Sequence, residues 1–186
     1  MGLDMYMHSV PKVKSIEELE QIEKKLAEAY FDGKLEETLN ELHLKNKFIW
    51  GIPIEIERFP ETKEKYEEYK QADGHVVKVR VDISLGYWRK FNALHSWFVE
   101  NVQKGNDNCE RYIVTEHHLL KLQKDLSEIT PENAAEKMPT QGGFFFGNTD
   151  YDDYYWASVE RVKAFVMYVL CHVNLEERTL IYQSSW

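Results

Sequence analysis

Cysteine is scarce: Cys109 and Cys171 are the two in the chain, far apart and in no C-x-x-C pair. That spacing gives no disulfide framework and no zinc-ribbon arrangement, so reduced thiols are expected. Long apolar runs are missing too. None approaches the roughly 20 residues needed to cross a bilayer, so no membrane contact is expected. Positive charge is in deficit, with 23 Lys and Arg against 32 Asp and Glu and a formal net charge of −9 at neutral pH. General nucleic-acid binding needs a basic stripe to neutralise phosphates, and none is visible. The first residues show no basic segment followed by an apolar one, and position 6 is Tyr where myristoylation favours Ser or Thr after Gly2. A cytoplasmic protein is the expectation. Phosphate-binding G-x-x-x-x-G-K-[ST], dinucleotide G-x-G-x-x-G and hydrolase G-x-S-x-G motifs do not occur.

What is present is a globular composition, 43% hydrophobic and 30% charged over 186 residues. A chain of that size suits one domain that buries about 70% of its unfolded surface. No internal repeat and no long linker divides it. Residues 15–72 form a charged, partly helical, insertion-like region, where 15 Asp and Glu against 9 Lys and Arg account for −6 of the net −9. Leu3, Met5 and Met7 alternate with Asp4, Tyr6 and His8, the period of a strand with one buried face. Ser15 with Glu18 reads as a capping box for a helix over 16–31, and a second helix follows Gly33 with Leu35, Leu39 and Leu42 inward. Residues 47–58 read as extended and 62–71 as a short polar helix. Val77, Val79, Val81 and Ile83 alternate as the clearest strand. A helix from about Gly86 to Lys104 follows, then a short strand in "RYIVT", a helix capped by Thr115, and a turn or two of helix after Pro131. A long helix from about Tyr151 to Val173 and a strand in "RTLIYQS" complete the chain. Strands and helices do not alternate regularly. The expected class is therefore α+β, a mainly antiparallel or mixed sheet packed against several helices.

Two stretches carry candidate chemistry. On a helical wheel for 87–104, Trp88, Asn92 and His95 form a stripe beside the apolar face, with Arg89 and Ser96 in the adjoining quadrant. Arg89 suits a carboxylate or phosphate, Asn92 and His95 each donate and accept, and Trp88 offers a flat face. Lys90 would add charge, although it projects away from the Asn92 stripe. Buried Asn and His bonded to neighbouring chain would satisfy the same pattern without a ligand, and the residues leave both open. The second stretch, "GGFFFGNTDYDDYY", brackets three phenylalanines with glycines. Left exposed they would promote aggregation, so the loop is expected to be packed, with Gly143, Phe144 and Phe146 beside a ligand or beneath the last helix. Asp150, Asp152 and Asp153 are explained by the dipole of a helix start more simply than by a cation, and no metal or cofactor is expected. His117 and His118 are adjacent and cannot chelate as an i, i+4 pair would.

The segments "MGLDMY", "YWRKFNALHSWFVENVQKGNDNC" and "PTQGGFFFGNTDYDDYY" resemble a family of small, functionally unassigned proteins of tailed bacteriophages and prophages. They cover about a quarter of the chain, and the 15–72 region lies outside them. The resemblance implies an accessory protein acting inside a bacterial host cell, and it implies no reaction or catalytic residue.

The leading expectation is a non-enzymatic protein that sequesters a polar, anionic, nucleotide-like molecule, with antagonism of host defence left open. Trp88, Arg89, Lys90, Asn92, His95, Ser96, Gly143, Phe144 and Phe146 would form its site. One alternative is an acidic protein-interaction inhibitor of a host defence nuclease. Another is a nucleotide-processing enzyme with His95 as general acid or base. A host protein partner and oligomer formation are both left open.

Overall fold

The computed structural model describes residues 2–44 and 82–186, with backbone alone for Tyr30 and Phe31. The sequence expectations for 47–58, 62–71 and most of the Val77–Ile83 strand fall outside the described residues. The chain divides into two compact units, residues 1–12 with 84–186 and residues 13–83.

Among the described residues are four strands and six helices. The strands are β1 (Asp4–Pro11), β2 (Ile83–Arg89), β3 (Tyr112–Val114) and β4 (Arg178–Ser185). The helices are α1 (Ile16–Phe31), α2 (Leu35–Glu41), α3 (Asn92–Asn101), α4 (Glu116–Ser127), α5 (Ala134–Lys137) and α6 (Asp153–His172). The sheet order is β2-β1-β4-β3 and it is antiparallel. This is the α+β class read from the sequence, with its long C-terminal helix.

β1 and β4 are the central pair, in register from Asp4 opposite Ser185 to Pro11 opposite Arg178. The alternation of β1 places Leu3, Met5 and Met7 on one face, where Leu180 and Tyr182 of β4 join them in one buried cluster. α3, α4 and α6 cover that face through Leu94 and Phe98, Leu119, Leu122 and Leu126, and Val159, Val162, Val166 and Val169. Tyr182 stacks on Phe98 with ring centroids 4.0 Å apart and planes 10° from parallel. α4 opens where expected, because Thr115 Oγ1 accepts from the His118 amide and His118 Nδ1 accepts from the Thr115 amide. That is a capping box with histidine in place of the usual Glu or Gln. His118 is therefore a cap.

In the 13–83 unit, the Glu18 amide donates to Ser15 Oγ. The Glu18 carboxylate accepts from the Lys14 amide, so the reciprocal half of the expected box falls one residue earlier. Leu26, Ala27 and Leu44 form a small core there, packed by Ile22, Leu35, Leu39 and Leu42.

One boundary differs from the sequence expectation. The segment expected as a helix from Gly86 begins instead as strand: β2 runs through Tyr87, Trp88 and Arg89, and α3 starts at Asn92. Tyr and Trp are strand formers, and edge pairing with β1 decides the matter. The break is Lys90, whose φ of 55° lies in the left-handed region. Gly86 therefore has a packing role rather than a helix-start role. A Cβ there would sit 2.5 Å from Trp88 Cη2 and 2.9 Å from Phe165 Cε2. Because Trp88 and Phe165 are locked edge to face at 4.8 Å, Gly86→Ala is expected to cost about 1–3 kcal/mol by overpacking. A thermal shift no larger than that of a surface alanine substitution would refute this.

Candidate ligand-binding site

The turn between β2 and α3 and the loop before α6 come together. Asn92, buried at the start of α3, uses its whole side-chain amide to hold the loop. Its Nδ2 donates to Phe146 O at 3.0 Å and to Asn148 O at 2.8 Å. Its Oδ1 accepts from the Gln141 amide at 3.0 Å. Both limbs of the loop are thus tied to one side chain. Thr140 Oγ1 donates to Thr149 O across the base, and the Leu3 amide donates to Phe145 O. At the start of α6, Asp152 Oδ1 accepts from the Tyr155 amide and its Oδ2 from Asn148 Nδ2. The aspartate is an N-cap, as the helix-dipole argument expects.

Between these parts lies a cavity of about 320 Å³, lined by Arg89, Lys90, Phe91 and Asn92 on one side and by Thr140, Asn148, Asp150, Asp152, Tyr154 and Tyr155 on the other. Its two cations differ. Arg89 Nη1 pairs with Asp4 Oδ1 at 3.3 Å, and Tyr87 donates its hydroxyl to the same carboxylate oxygen. The Tyr87 hydroxyl and Asp4 together hold the guanidinium charged, raising its pKa. Lys90 makes no ion pair among the described residues. Its stem is wedged between Gly2 and Gly147, where a Cβ on either glycine would lie 3.1 Å from a Lys90 carbon. Gly147 also has a φ of 88°, which an L side chain rarely adopts.

α3 has no side-chain N-cap. Phe91 and Asn92 line the cavity at a helix end whose dipole is positive; the Leu94 amide bonds Phe91 O, and the Asn92 and Ala93 amides before it have no intrahelical acceptor. Tyr154, which also lines the cavity, donates its hydroxyl to Arg89 O. Tyr155 donates to Met138 O at 2.9 Å, and burial pushes its pKa well up. It stays protonated and supplies a ring rather than a proton.

The sequence candidates separate accordingly. Arg89, Lys90 and Asn92 line the cavity. Trp88 is buried against Phe165 in the core and is not a cavity residue. With Trp88 and Arg89 on β2, the helical stripe that grouped them with Asn92 does not exist. Lys90, placed outside the stripe by that helical wheel, reaches the site because the chain turns there. His95 is fully buried, with Nδ1 2.8 Å from the Tyr182 hydroxyl and Nε2 2.9 Å from Asp107 Oδ1. Ser96 is half-buried on the same helix, and neither residue lines the cavity. Phe146 packs into the core edge-on to His95 at 5.3 Å. Gly143 lets the Phe146 ring approach, since a Cβ there would meet it at 3.0 Å. Phe144 is 96% exposed, so the expectation of a packed loop fails at the tip: of the three phenylalanines Phe146 is buried and Phe145 half-buried.

Phe91, Asn148, Tyr154 and Tyr155 were not anticipated as lining residues. For Asn148, Tyr154 and Tyr155 the sequence signal was the dense polar-aromatic string "GNTDYDDYY" at the helix start, and Phe91 carried none. Among the described residues, no group of His, Cys, Asp and Glu is arranged to hold a metal ion, and no helix is long and apolar enough to cross a membrane. Comparison with protein-family models, curated proteins and solved structures finds no match to this chain.

Proposed function

We propose that the protein binds and sequesters a small anionic molecule in the cavity between the β2–α3 turn and the loop preceding α6. The observation that carries this is Lys90: a lysine in a left-handed backbone conformation, flanked by two glycines, lining a cavity without an ion-pair partner among the described residues. Strained positions of this kind persist where the surrounding structure holds them, and they concentrate at functional sites. Arg89 and the uncapped end of α3 add positive potential, in a chain that is otherwise strongly acidic. Asp150, exposed and with its carboxylate unpaired among the described residues, adds an acceptor for ligand hydroxyls.

Binding without turnover accounts for the site better than catalysis by His95. Both nitrogens of that imidazole are already bonded, and it is sealed from the cavity's lining. In a phage-encoded setting, such as the sequence resemblance implies, holding a host signal molecule would withdraw it from use.

Isothermal titration against a panel of phosphorylated small molecules tests the proposal. Lys90→Gly removes the charge while suiting the left-handed turn, so folding is retained. A charge-assisted hydrogen bond is worth about 1.5–3 kcal/mol, so affinity should fall roughly 10- to 100-fold. Absence of binding by the wild type, or equal binding by Lys90→Gly, would refute it.

A further inference from the structure

The loop that builds one wall of the cavity holds a phenylalanine almost entirely in solvent. Phe144 touches its neighbour Phe145 edge-on at 5.0 Å and is otherwise 96% exposed. A large apolar side chain left in water on an otherwise well-anchored loop forgoes burial that Phe146 obtains in full and Phe145 in part. The loop is fixed on both sides of the tip by Asn92, through Gln141 before it and Phe146 and Asn148 after it. The tip itself begins at Gly142, where an added Cβ would meet nothing within 4 Å.

The tip also lies near Lys90, the cavity cation that makes no ion pair among the described residues. Phe145 O and Lys90 Cε both come within 4 Å of where a Gly2 side chain would start. The cavity, at about 320 Å³, sits at the small end of the roughly 300–1,000 Å³ usual for small-molecule sites. It is open to solvent on one side, so a ligand held at Lys90 can extend beyond it toward the loop tip.

Resting on the anionic-ligand proposal above, we infer that Phe144 is the stacking face for a flat ring attached to that anion, so the ligand class is a nucleoside phosphate. The phosphate meets Lys90, Arg89 and the α3 amides, the sugar hydroxyls meet Asp150, and the base leaves the cavity beside the tip. Stacking of a base on an aromatic side chain is tolerant of base identity, so the site selects for a ring more than for one particular base.

The test compares adenosine 5′-monophosphate, ribose 5-phosphate and inorganic phosphate by isothermal titration on the wild type, Phe144→Ala and Phe144→Trp. Phe144 is a surface residue, so neither substitution threatens folding. The expected result is that the nucleotide binds the wild type at least about tenfold more tightly than ribose 5-phosphate does. Phe144→Ala abolishes that preference and leaves ribose 5-phosphate unchanged, while Phe144→Trp preserves it. Equal affinity for nucleotide and sugar phosphate, or a preference that survives Phe144→Ala, overturns the stacking role and leaves the anion site standing. If none of the three compounds binds, both the stacking role and the anion site are overturned.

Discussion

Asn92→Asp is expected to destabilise the protein by about 3 kcal/mol and to free the loop before α6. The two side chains have nearly the same size and shape, so no cavity is made and no packing is lost. What changes is the sense of the hydrogen bonds. The native amide donates to Phe146 O and Asn148 O and accepts from the Gln141 amide. A carboxylate keeps the acceptor and loses both donors, which sets an anionic oxygen against two carbonyl oxygens at a buried position. Each polar group left unsatisfied in the interior costs about 1–3 kcal/mol. Two such groups, offset in part by local rearrangement, give the expected figure. The urea midpoint should fall without a change in slope, and proteolysis should cut between 140 and 152 in the variant well before it cuts the wild type. Because the loop walls the cavity, the variant should also lose ligand affinity with Arg89 and Lys90 intact. A midpoint indistinguishable from wild type would show that the loop is held by something other than Asn92.

That single side chain also shows how far the sequence could be read. A polar residue on the inner side of an aromatic helix signals a partner, and Asn92 does hold together the two segments singled out from the sequence. The partner atoms were out of reach, because they are backbone carbonyls some fifty residues away with no side-chain signature of their own. The strands and helices with clean periods were legible: β1 from its alternation, α4 from Thr115, α6 from its valines.

The β2–α3 junction was not, for a physical reason. A strand and a helix meet there with two intervening residues, and the break is a left-handed lysine where glycine or asparagine would have marked it. With the junction misplaced, Trp88 and Arg89 were put on a helix, and the helical wheel then joined the wrong neighbours. Lys90 was undervalued for the same reason.

His95 illustrates the opposite case, a residue whose chemistry was visible and whose partners were not. Asp107 can only accept, so Nε2 carries the proton. Burial holds the Tyr182 hydroxyl protonated, its pKa raised well above the ordinary value, and Tyr182 therefore donates to Nδ1. The imidazole is neutral, with both its nitrogens satisfied in that state. Burial lowers the His95 pKa below its ordinary value of 6.5, against the pull of Asp107, which favours the charged form. A histidine depressed in the folded state binds its proton more readily when unfolded. Its contribution to stability is therefore complete above pH 6.5 and is lost as the pH falls from there through the folded pKa. Each unit of depression is worth about 1.4 kcal/mol.

His118 is also depressed, chiefly by burial and secondarily by neighbouring His117. The measurement is thus best made in a His118→Gln background, in which Gln can still complete the α4 cap. Urea midpoints there should be flat from pH 8 to 7 and decline from about pH 6.5 downward. Asp107→Asn keeps an acceptor for Nε2 while removing the charge that stabilises an imidazolium, so it should depress the pKa further and extend the acid loss to lower pH. If Asp107→Asn instead flattens the profile, the group that titrates is not His95.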